Sequence, residues 1–235
     1  MGIDPLLATG YILVGEHFLD LHEHVSRAEV QLEEYLWERI MVKGAPHPRA
    51  FKKNTSFVRT ARVLMERGAD GNKVTYVSSG LKGLTILKSG DSEFTGFLED
   101  QYTSLKPDTK RIMATELSAT WRQHSHNVEE LKAFDYTAGF SQALDTMLET
   151  FGGHHSLSLQ QTMYEMGQNV LKEQPTICAI KFALPNKHHF QYDLSRYGQE
   201  NDGAVFWAAD RPYGLIEAVI ERDDASTAGP VWPAW

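Results

Sequence analysis

The chain has 235 residues, 42% of them hydrophobic, and a formal net charge of −8, so it is long enough for one large core or two small ones. The acidic balance argues against extended binding to a phosphate backbone, and the absence of an apolar run of about 18 residues argues against a membrane-spanning helix. Met1–Pro5 lacks the basic region of a secretory signal, and the single Cys178 has no partner for an internal disulfide. We therefore expect a cytoplasmic protein whose one thiol packs in the core.

The N-terminal part predicts a helix followed by strands. Helical spacing runs from Pro5 to about Leu21 and places Leu13, His17 and Leu21 on one face, with Ile12 and Leu19 nearby. Residues 25–40 show both alternating and helical spacing, and periodicity alone leaves this segment open. Residues 43–48, which contain two prolines and a glycine, predict a loop.

Clear strand patterns follow. Side chains alternate from Phe57 to Met65, and Asp70–Gly71 is a strong turn signal between this strand and the next one. The extended pattern continues to Lys88, a polar loop runs to about Lys110, and Arg111 opens another strand.

Two helices and further strands make up the remainder. Apolar stripes predict a helix that ends at Gly152–Gly153 and a second one that Ser158 and Gln161 cap. Period-two alternation then predicts strands over 180–184, 190–194 and 215–222, with Pro185 interrupting regular pairing. Since no segment alternates strand, helix and parallel strand, we expect an α+β fold in which helices cover one face of an antiparallel sheet.

Several residue clusters have the chemistry of a site. Leu184–Phe190 places a carboxamide, an ammonium and two imidazoles between two strands, which fits either a binding site or a polar turn. Arg111 has the donors to clamp a planar anion, and Phe94 with Phe97 could form an aromatic platform; a surface arginine and two loop anchors are the alternative. Four histidine pairs could also hold a metal: His22 and His24, His124 and His126, His154 and His155, and His188 and His189.

Four blocks together give the chain a specific resemblance. Residues 84–97 read LTILKSGDSEFTGF and are followed by Tyr102, Leu105 and Arg111. The others are LQQTMYEM at 159–166, LPNKHHF at 184–190 and AADRPYGLIE at 208–217. In order and spacing they closely resemble the urate oxidase (uricase) family, and the last block resembles its bacterial branch. Gly90 departs from the Thr or Ser that is usual there.

The resemblance implies a fold and an assembly. The fold is the tunnelling fold (T-fold), in which antiparallel sheets with helices on one side join across subunits into a barrel. The chain would then contain two tandem halves, an incomplete first half over 1–90 and a second half over 91–235. The resemblance also implies that residues 25–40 are largely strand, that the protein is a homotetramer with active sites at subunit interfaces, and that neither metal nor organic cofactor is needed.

The resemblance also assigns roles to individual residues. Phe94 would stack on the purine ring, Arg111 would pair with the urate anion, and Gln160 would make a bidentate amide contact. Leu159 takes the position whose backbone contacts the ligand. Asn186 would hold dioxygen or the attacking water, and His188 would join the proton relay. The products would be 5-hydroxyisourate and hydrogen peroxide, as urate itself gives electrons to dioxygen.

Part of the family pattern has no counterpart in this sequence. Family members carry a relay lysine and a Thr-Asp pair on strands that precede the region matched here, and we find neither in a corresponding context. On the strength of the four blocks, the leading hypothesis is a uricase-type oxidase. The alternatives are a purine-binding or structural module that retains Phe94, Arg111 and Gln160 without catalysis, and a histidine metal enzyme.

Overall fold

A computed structural model describes residues 6–54, 56–68 and 70–232. Met1–Pro5, which include the first residue of the predicted helix and the segment without the basic region of a secretory signal, lie outside these ranges. The helices are α1 (Leu6–Leu21), α2 (Val128–Ala133), α3 (Tyr136–Gly153) and α4 (Leu159–Glu173). The strands are β1 (Arg27–Glu34), β2 (Trp37–Val42), β3 (Ala45–Lys53), β4 (Val58–Arg67), β5 (Lys73–Lys88), β6 (Met113–Gln123), β7 (Ile177–Asn186), β8 (His189–Gln191), β9 (Phe206–Ala208) and β10 (Gly214–Glu221).

One six-stranded sheet organises the described part of the chain. Its order is β1-β4-β5-β6-β7-β10, and every neighbouring pair is antiparallel. This confirms the predicted antiparallel α+β architecture. β5 and β6 flank the proposed boundary at residue 90 and pair directly with each other, so the sheet runs without a break from one proposed half to the other; the division into halves stays a prediction.

The helices cover one face of this sheet. Leu117, Ala119 and Trp121 of β6 pack with buried side chains of α3 and α4. Val63 and Met65 of β4 form a second cluster with α1 and α2. The opposite face carries charged pairs instead, among them Arg62 with Glu29 at 2.8 Å and Lys187 with Glu116 at 2.9 Å.

Helix α1 confirms the predicted helix but turns a different face inward. Ile12 and Leu19 are fully buried, and Gly15 approaches Met65 closely. Leu13 and Leu21, which the sequence pattern places together on one face, are 50% and 61% exposed. Spacing alone does not identify the face that meets the sheet, because α1 contains apolar residues around most of its circumference.

Residues 25–40 are largely strand, as the resemblance implied. The loop predicted over 43–48 was wrong in part, because the turn consists only of Lys43 and Gly44, with φ angles of 52° and 82°. β3 begins at Ala45 and pairs with β2 alone among the described residues. Prolines are tolerated here because β3 is an edge strand with no described neighbour on its other side.

The second half differs from the sequence prediction in several details. A short helix, α2, precedes the two predicted ones, and β6 begins at Met113 rather than Arg111. β8 ends at Gln191, well short of residue 194. Pro185 lies inside β7 opposite Leu215 of β10, while the register with β6 omits Leu184 and Pro185. The interruption predicted at Pro185 therefore affects only the side that faces β6.

Candidate functional site

Backbone hydrogen bonds hold the loop between β5 and β6 in place around Phe94. The Phe94 amide donates to the Asp108 carbonyl at 2.7 Å, and the Asp108 amide donates back at 3.1 Å. The Arg111 amide donates to the Ser92 carbonyl at 3.2 Å. These backbone bonds fold the loop on itself and bring Phe94 close to Arg111, whose guanidinium carbon lies 5.7 Å from the centre of the Phe94 ring.

The same loop runs beside the segment that leads into α4. Glu93 donates its amide to the Ser156 carbonyl at 2.7 Å, and the Ser156 amide donates to the Asp91 carbonyl at 2.9 Å. Ser158 then caps α4, with its side-chain oxygen accepting from the Gln161 amide at 3.1 Å. Because of these contacts the first residues of α4, Leu159 and Gln160, lie next to the Phe94 loop.

The end of β7 supplies the remaining polar groups. The Lys187 amide donates to the Ala114 carbonyl of β6 at 2.9 Å, and the His188 carbonyl accepts from the Ala209 amide at 2.9 Å. The Arg111 Nη2 donates to the Asn186 Oδ1 at 2.9 Å. Thus Asn186 and His188 face the same space as Arg111, held by backbone bonds on either side.

These elements enclose a cavity of about 410 Å³. That volume lies within the range of roughly 300–1,000 Å³ that is usual for small-molecule sites. Its lining includes five residues that the sequence predicted for the site: Phe94, Arg111, Gln160, Asn186 and His188. Leu159 is absent from the lining, because its side chain is buried in the core at 1% exposure. Its predicted role belongs to the backbone, which here sits in the first turn of α4.

Arg111 is less exposed than Lys106 and Asp108, the other charged residues that line this cavity. Burial lowers the pKa of its guanidinium from the ordinary value, with a smaller opposing effect from Asp108. Its Nη1 is buried and has no hydrogen-bond partner within the described part of the chain. A buried donor without an acceptor costs free energy, so this position favours an anionic or carbonyl-bearing ligand.

His188 is held as a neutral ring in the same space. Burial, and secondarily the positive charge of Arg111, hold its pKa below the ordinary value of 6.5. Its ring stacks on that of Phe190, with the two centroids 5.7 Å apart. A neutral imidazole can accept a proton at one nitrogen and donate one at the other, which is what a proton relay requires.

Six further lining residues had no individual role assigned from the sequence. They are Leu105, Lys106, Asp108, Ile112, His189 and Phe190. Lys106 and Asp108 carry no motif of their own, and only the fold of the loop brings them to the cavity. The side chain of Lys187 points away from the cavity, and its Nζ donates to the Glu116 carboxylate at 2.9 Å.

The histidine pairs do not assemble into a metal centre within the described ranges. No group of three or more His, Cys, Asp or Glu residues lies close enough to share an ion there. The His155 Nε2 donates to the Glu93 carboxylate at 3.1 Å, and the His126 Nδ1 contacts the Thr75 carbonyl at 3.3 Å. A membrane span is a separate question: among the described residues, none of the helices has the length and hydrophobicity that it would require.

The six-stranded antiparallel sheet with helices on one face is the architecture of the T-fold class, and the cavity lies where the β5–β6 loop, α4 and the end of β7 meet. A family model described as Uricase matches residues 77–217. The uricase of Arthrobacter globiformis is 43% identical over 219 residues, which cover 93% of this chain and 68% of that protein. The chain belongs to the uricase family, the urate oxidases.

Three further comparisons also find uricases or urate oxidases. The uricase of Aspergillus flavus is 35% identical, over 89% of this chain and 70% of that protein. The crystal structure of the Arthrobacter globiformis uricase superimposes with a TM-score of 0.83, at 41% identity, over 95% of this chain and 73% of that one. A urate oxidase structure from Bacillus sp. TB-90 gives a TM-score of 0.76 at 26% identity, over 92% and 72% of the two chains.

Proposed function

We propose that this chain oxidises urate with dioxygen and water, giving 5-hydroxyisourate and hydrogen peroxide, in the cavity between Phe94, Arg111 and Asn186. The observation that carries the proposal is the buried Arg111 Nη1, a charged donor without a partner among the described residues, in a cavity that an aromatic ring also lines. Urate is planar and anionic, so it offers a ring face to Phe94 and an acceptor edge to the guanidinium.

The substrate side consists of Phe94, Arg111, Gln160 and the backbone of Leu159. The Gln160 amide can donate and accept at once, which suits the alternating donors and acceptors of a purine edge. Leu159 and Gln160 begin α4, where amide groups have no intrahelical acceptor and the helix dipole is positive. Both features favour an anion at this end of the cavity.

The oxygen side consists of Asn186 and His188. Because Arg111 engages the Asn186 Oδ1, the Asn186 Nδ2 is left to donate to dioxygen or to the attacking water. His188 would then move a proton between the urate ring and the water. The two electrons pass from urate to dioxygen in this scheme, while the protein positions the reactants; the resemblance implies that no cofactor takes part.

We propose that the active form is a homotetramer with this cavity at a subunit interface, in a cytoplasmic compartment. The loop beside the cavity supports the assembly, because Leu98, Tyr102 and Leu105 are 98%, 82% and 62% exposed. Apolar side chains this open to water favour a covering subunit. The buried thiol of Cys178 fits a reducing compartment.

The alternative is a purine-binding module that does not oxidise its ligand. It would hold the purine with Phe94, Arg111 and Gln160, which all line the cavity. Calorimetry with urate and xanthine would show binding without peroxide formation. Turnover of urate at micromolar enzyme would remove this alternative.

The test of the proposal is the loss of urate ultraviolet absorbance together with peroxide formation. Arg111→Gln should weaken urate binding roughly 10- to 150-fold, because a hydrogen bond to a charged group is worth about 1.5–3 kcal/mol. The matched control is Lys110→Gln, which removes the neighbouring positive charge. Lys110 is exposed and pairs with Asp202 outside the cavity, so that variant should bind as the unchanged chain does. Equal binding by both variants, or no turnover by the unchanged chain at high concentration, would contradict the proposal.

A further inference from the structure

The segment between α3 and α4 carries a histidine pair that the proposed reaction does not use. His154 and His155 follow directly after Gly153, the last residue of α3. Neither ring lines the cavity. The two rings contact different elements, because His155 bonds to the loop that carries Phe94 whereas His154 bonds to α4. The pair therefore connects two of the elements that form the cavity.

His155 contacts the Phe94 loop through Glu93. The His155 Nε2 donates to the Glu93 Oε1 at 3.1 Å, and the Thr95 Oγ1 donates to the Glu93 Oε2 at 3.2 Å. Because side chains alternate along extended backbone, Glu93 and Thr95 lie on the opposite side of the loop from the Phe94 ring. Both oxygens of the Glu93 carboxylate thus hold the loop from behind the aromatic ring.

His154 contacts α4 through a chain of hydroxyl groups. The Ser156 Oγ donates to the Ser158 carbonyl at 2.9 Å, and the Thr162 Oγ1 donates to the Ser156 Oγ at 2.6 Å. A hydroxyl has one proton to donate, so the Thr162 Oγ1 accepts from the His154 Nε2, which lies 3.2 Å away. Ser156 and Thr162 are fully buried, so bulk water does not compete for these bonds. The chain ends at Ser158, the N-cap of α4.

Lys88 holds the same segment from the side of the sheet. It is the last residue of β5, and the loop follows it directly. Its Nζ donates to the His154 carbonyl at 2.5 Å and to the Phe151 carbonyl at 3.3 Å. Carbonyls at the C-terminus of a helix have no intrahelical donor, and the helix dipole is negative there, so an ammonium is favoured. The histidine pair is therefore anchored to the point where the loop begins.

We infer that His154 and His155 are positioning residues that set the separation of Phe94 from Gln160. The inference rests on the proposed function, in which Phe94 stacks on the urate ring and Gln160 reads its edge. Glu93 directly precedes Phe94, and the hydroxyl chain ends two residues before Gln160. Each histidine therefore acts within two residues of a substrate contact. Groups that bind one ligand together must keep their spacing to within about 0.5 Å, and the histidine pair supplies that constraint.

The first test separates hydrogen bonding from packing at Thr162. Thr162→Val keeps the side-chain volume but removes the hydroxyl, and anaerobic calorimetry should show urate binding weakened roughly 2- to 12-fold, the worth of one hydrogen bond. The kcat should change by less than about twofold, because Asn186 and His188 keep their places. The conservative variant Thr162→Ser loses a buried methyl group but keeps the hydroxyl, so it should unfold at lower urea and still bind urate normally. Binding that follows stability instead of the hydroxyl would overturn the inference.

The second test needs no urate. His155→Leu removes the donor to Glu93, and the Glu93 amide, which donates to the Ser156 carbonyl at 2.7 Å, should exchange its hydrogen about two- to fivefold faster by NMR, as expected for a partly exposed ion pair. The Phe94 amide, which bonds to the Asp108 carbonyl within the loop, is the internal control and should keep its rate. His155→Gln restores a donor and should restore protection. Equal acceleration of both amides, or of neither, would overturn the inference.

Together the two tests distinguish a failure of this inference from a failure of the proposed function. An unchanged chain that neither binds nor oxidises urate would contradict the proposed function, while the exchange rates would still decide whether His155 holds the loop. An unchanged chain that oxidises urate, with Thr162→Val binding urate equally well, would overturn the positioning role alone.

Discussion

Arg111 uses its two terminal nitrogens for different purposes. Nη2 orients the carboxamide of Asn186, and Nη1 is left for a ligand. A lysine has one nitrogen at this distance and cannot hold both positions at a fixed spacing. At the residue scale, the anion site and the oxygen-side amide therefore form one unit, so changes at Arg111 should disturb both.

The pKa of His188 gives a test at the same scale. Its NMR titration midpoint should lie below 6.5, since burial and Arg111 both disfavour the charged ring. The ring is therefore neutral at neutral pH, and relay activity should fall as the pH drops through that midpoint. Arg111→Gln should raise the midpoint, because it removes the second of these two causes. The resonance that disappears in His188→Asn identifies the ring. A midpoint at or above 6.5 in the unchanged chain would contradict the assignment.

At the scale of elements, the sequence predicts helices and strands well where residues close together in the chain determine them. Alternation and the Asp70–Gly71 turn predicted the β4–β5 hairpin, and Ser158 with Gln161 predicted the start of α4. Phe94, Arg111 and Asn186 could be proposed because family blocks carry them. Lys106 and Asp108 could not, because their position follows from loop pairing between residues distant in sequence. The packing face of α1 could not be assigned for a similar reason, since contact with the sheet determines it.

Gly80 shows how closely the central strands approach. A Cβ at this position would lie 2.4 Å from the Ala119 carbonyl oxygen, a backbone atom with little freedom to move. Gly80→Ala should therefore lower the free energy of unfolding by about 1–3 kcal/mol. Gly10→Ala in α1 meets nothing within 4 Å and should raise it by about 0.5–1 kcal/mol. Urea unfolding measures both, and a neutral Gly80→Ala would show that the strands can separate.

At the scale of the whole molecule, the sheet and the β2–β3 hairpin are separate units. β2 and β3 pair only with each other among the described residues. Trp37, Met41 and Phe51 on this hairpin are 61%, 60% and 45% exposed. The hairpin therefore draws little stability from the main core.

Limited digestion with trypsin should reveal this difference. Lys43 lies in the two-residue turn of the hairpin, whereas Lys82 lies within β5, between β4 and β6. Cleavage after Lys43 should precede cleavage after Lys82 by orders of magnitude in time, since it needs only local opening. Simultaneous cleavage at both lysines would mean that the hairpin and the sheet open together.

The strand order also has a consequence for the order of folding. β4 and β5 are joined by a short turn after Arg67, whereas β6 ends at Gln123 and its partner β7 begins at Ile177, with α2, α3 and α4 between them. Closing the longer connection costs more chain entropy before any pairing is gained. We expect the β4–β5 hairpin to form early and the β6–β7 pairing late. The cavity needs β6, β7 and α4 together, so ligand-binding competence should be the last property that a refolding chain acquires.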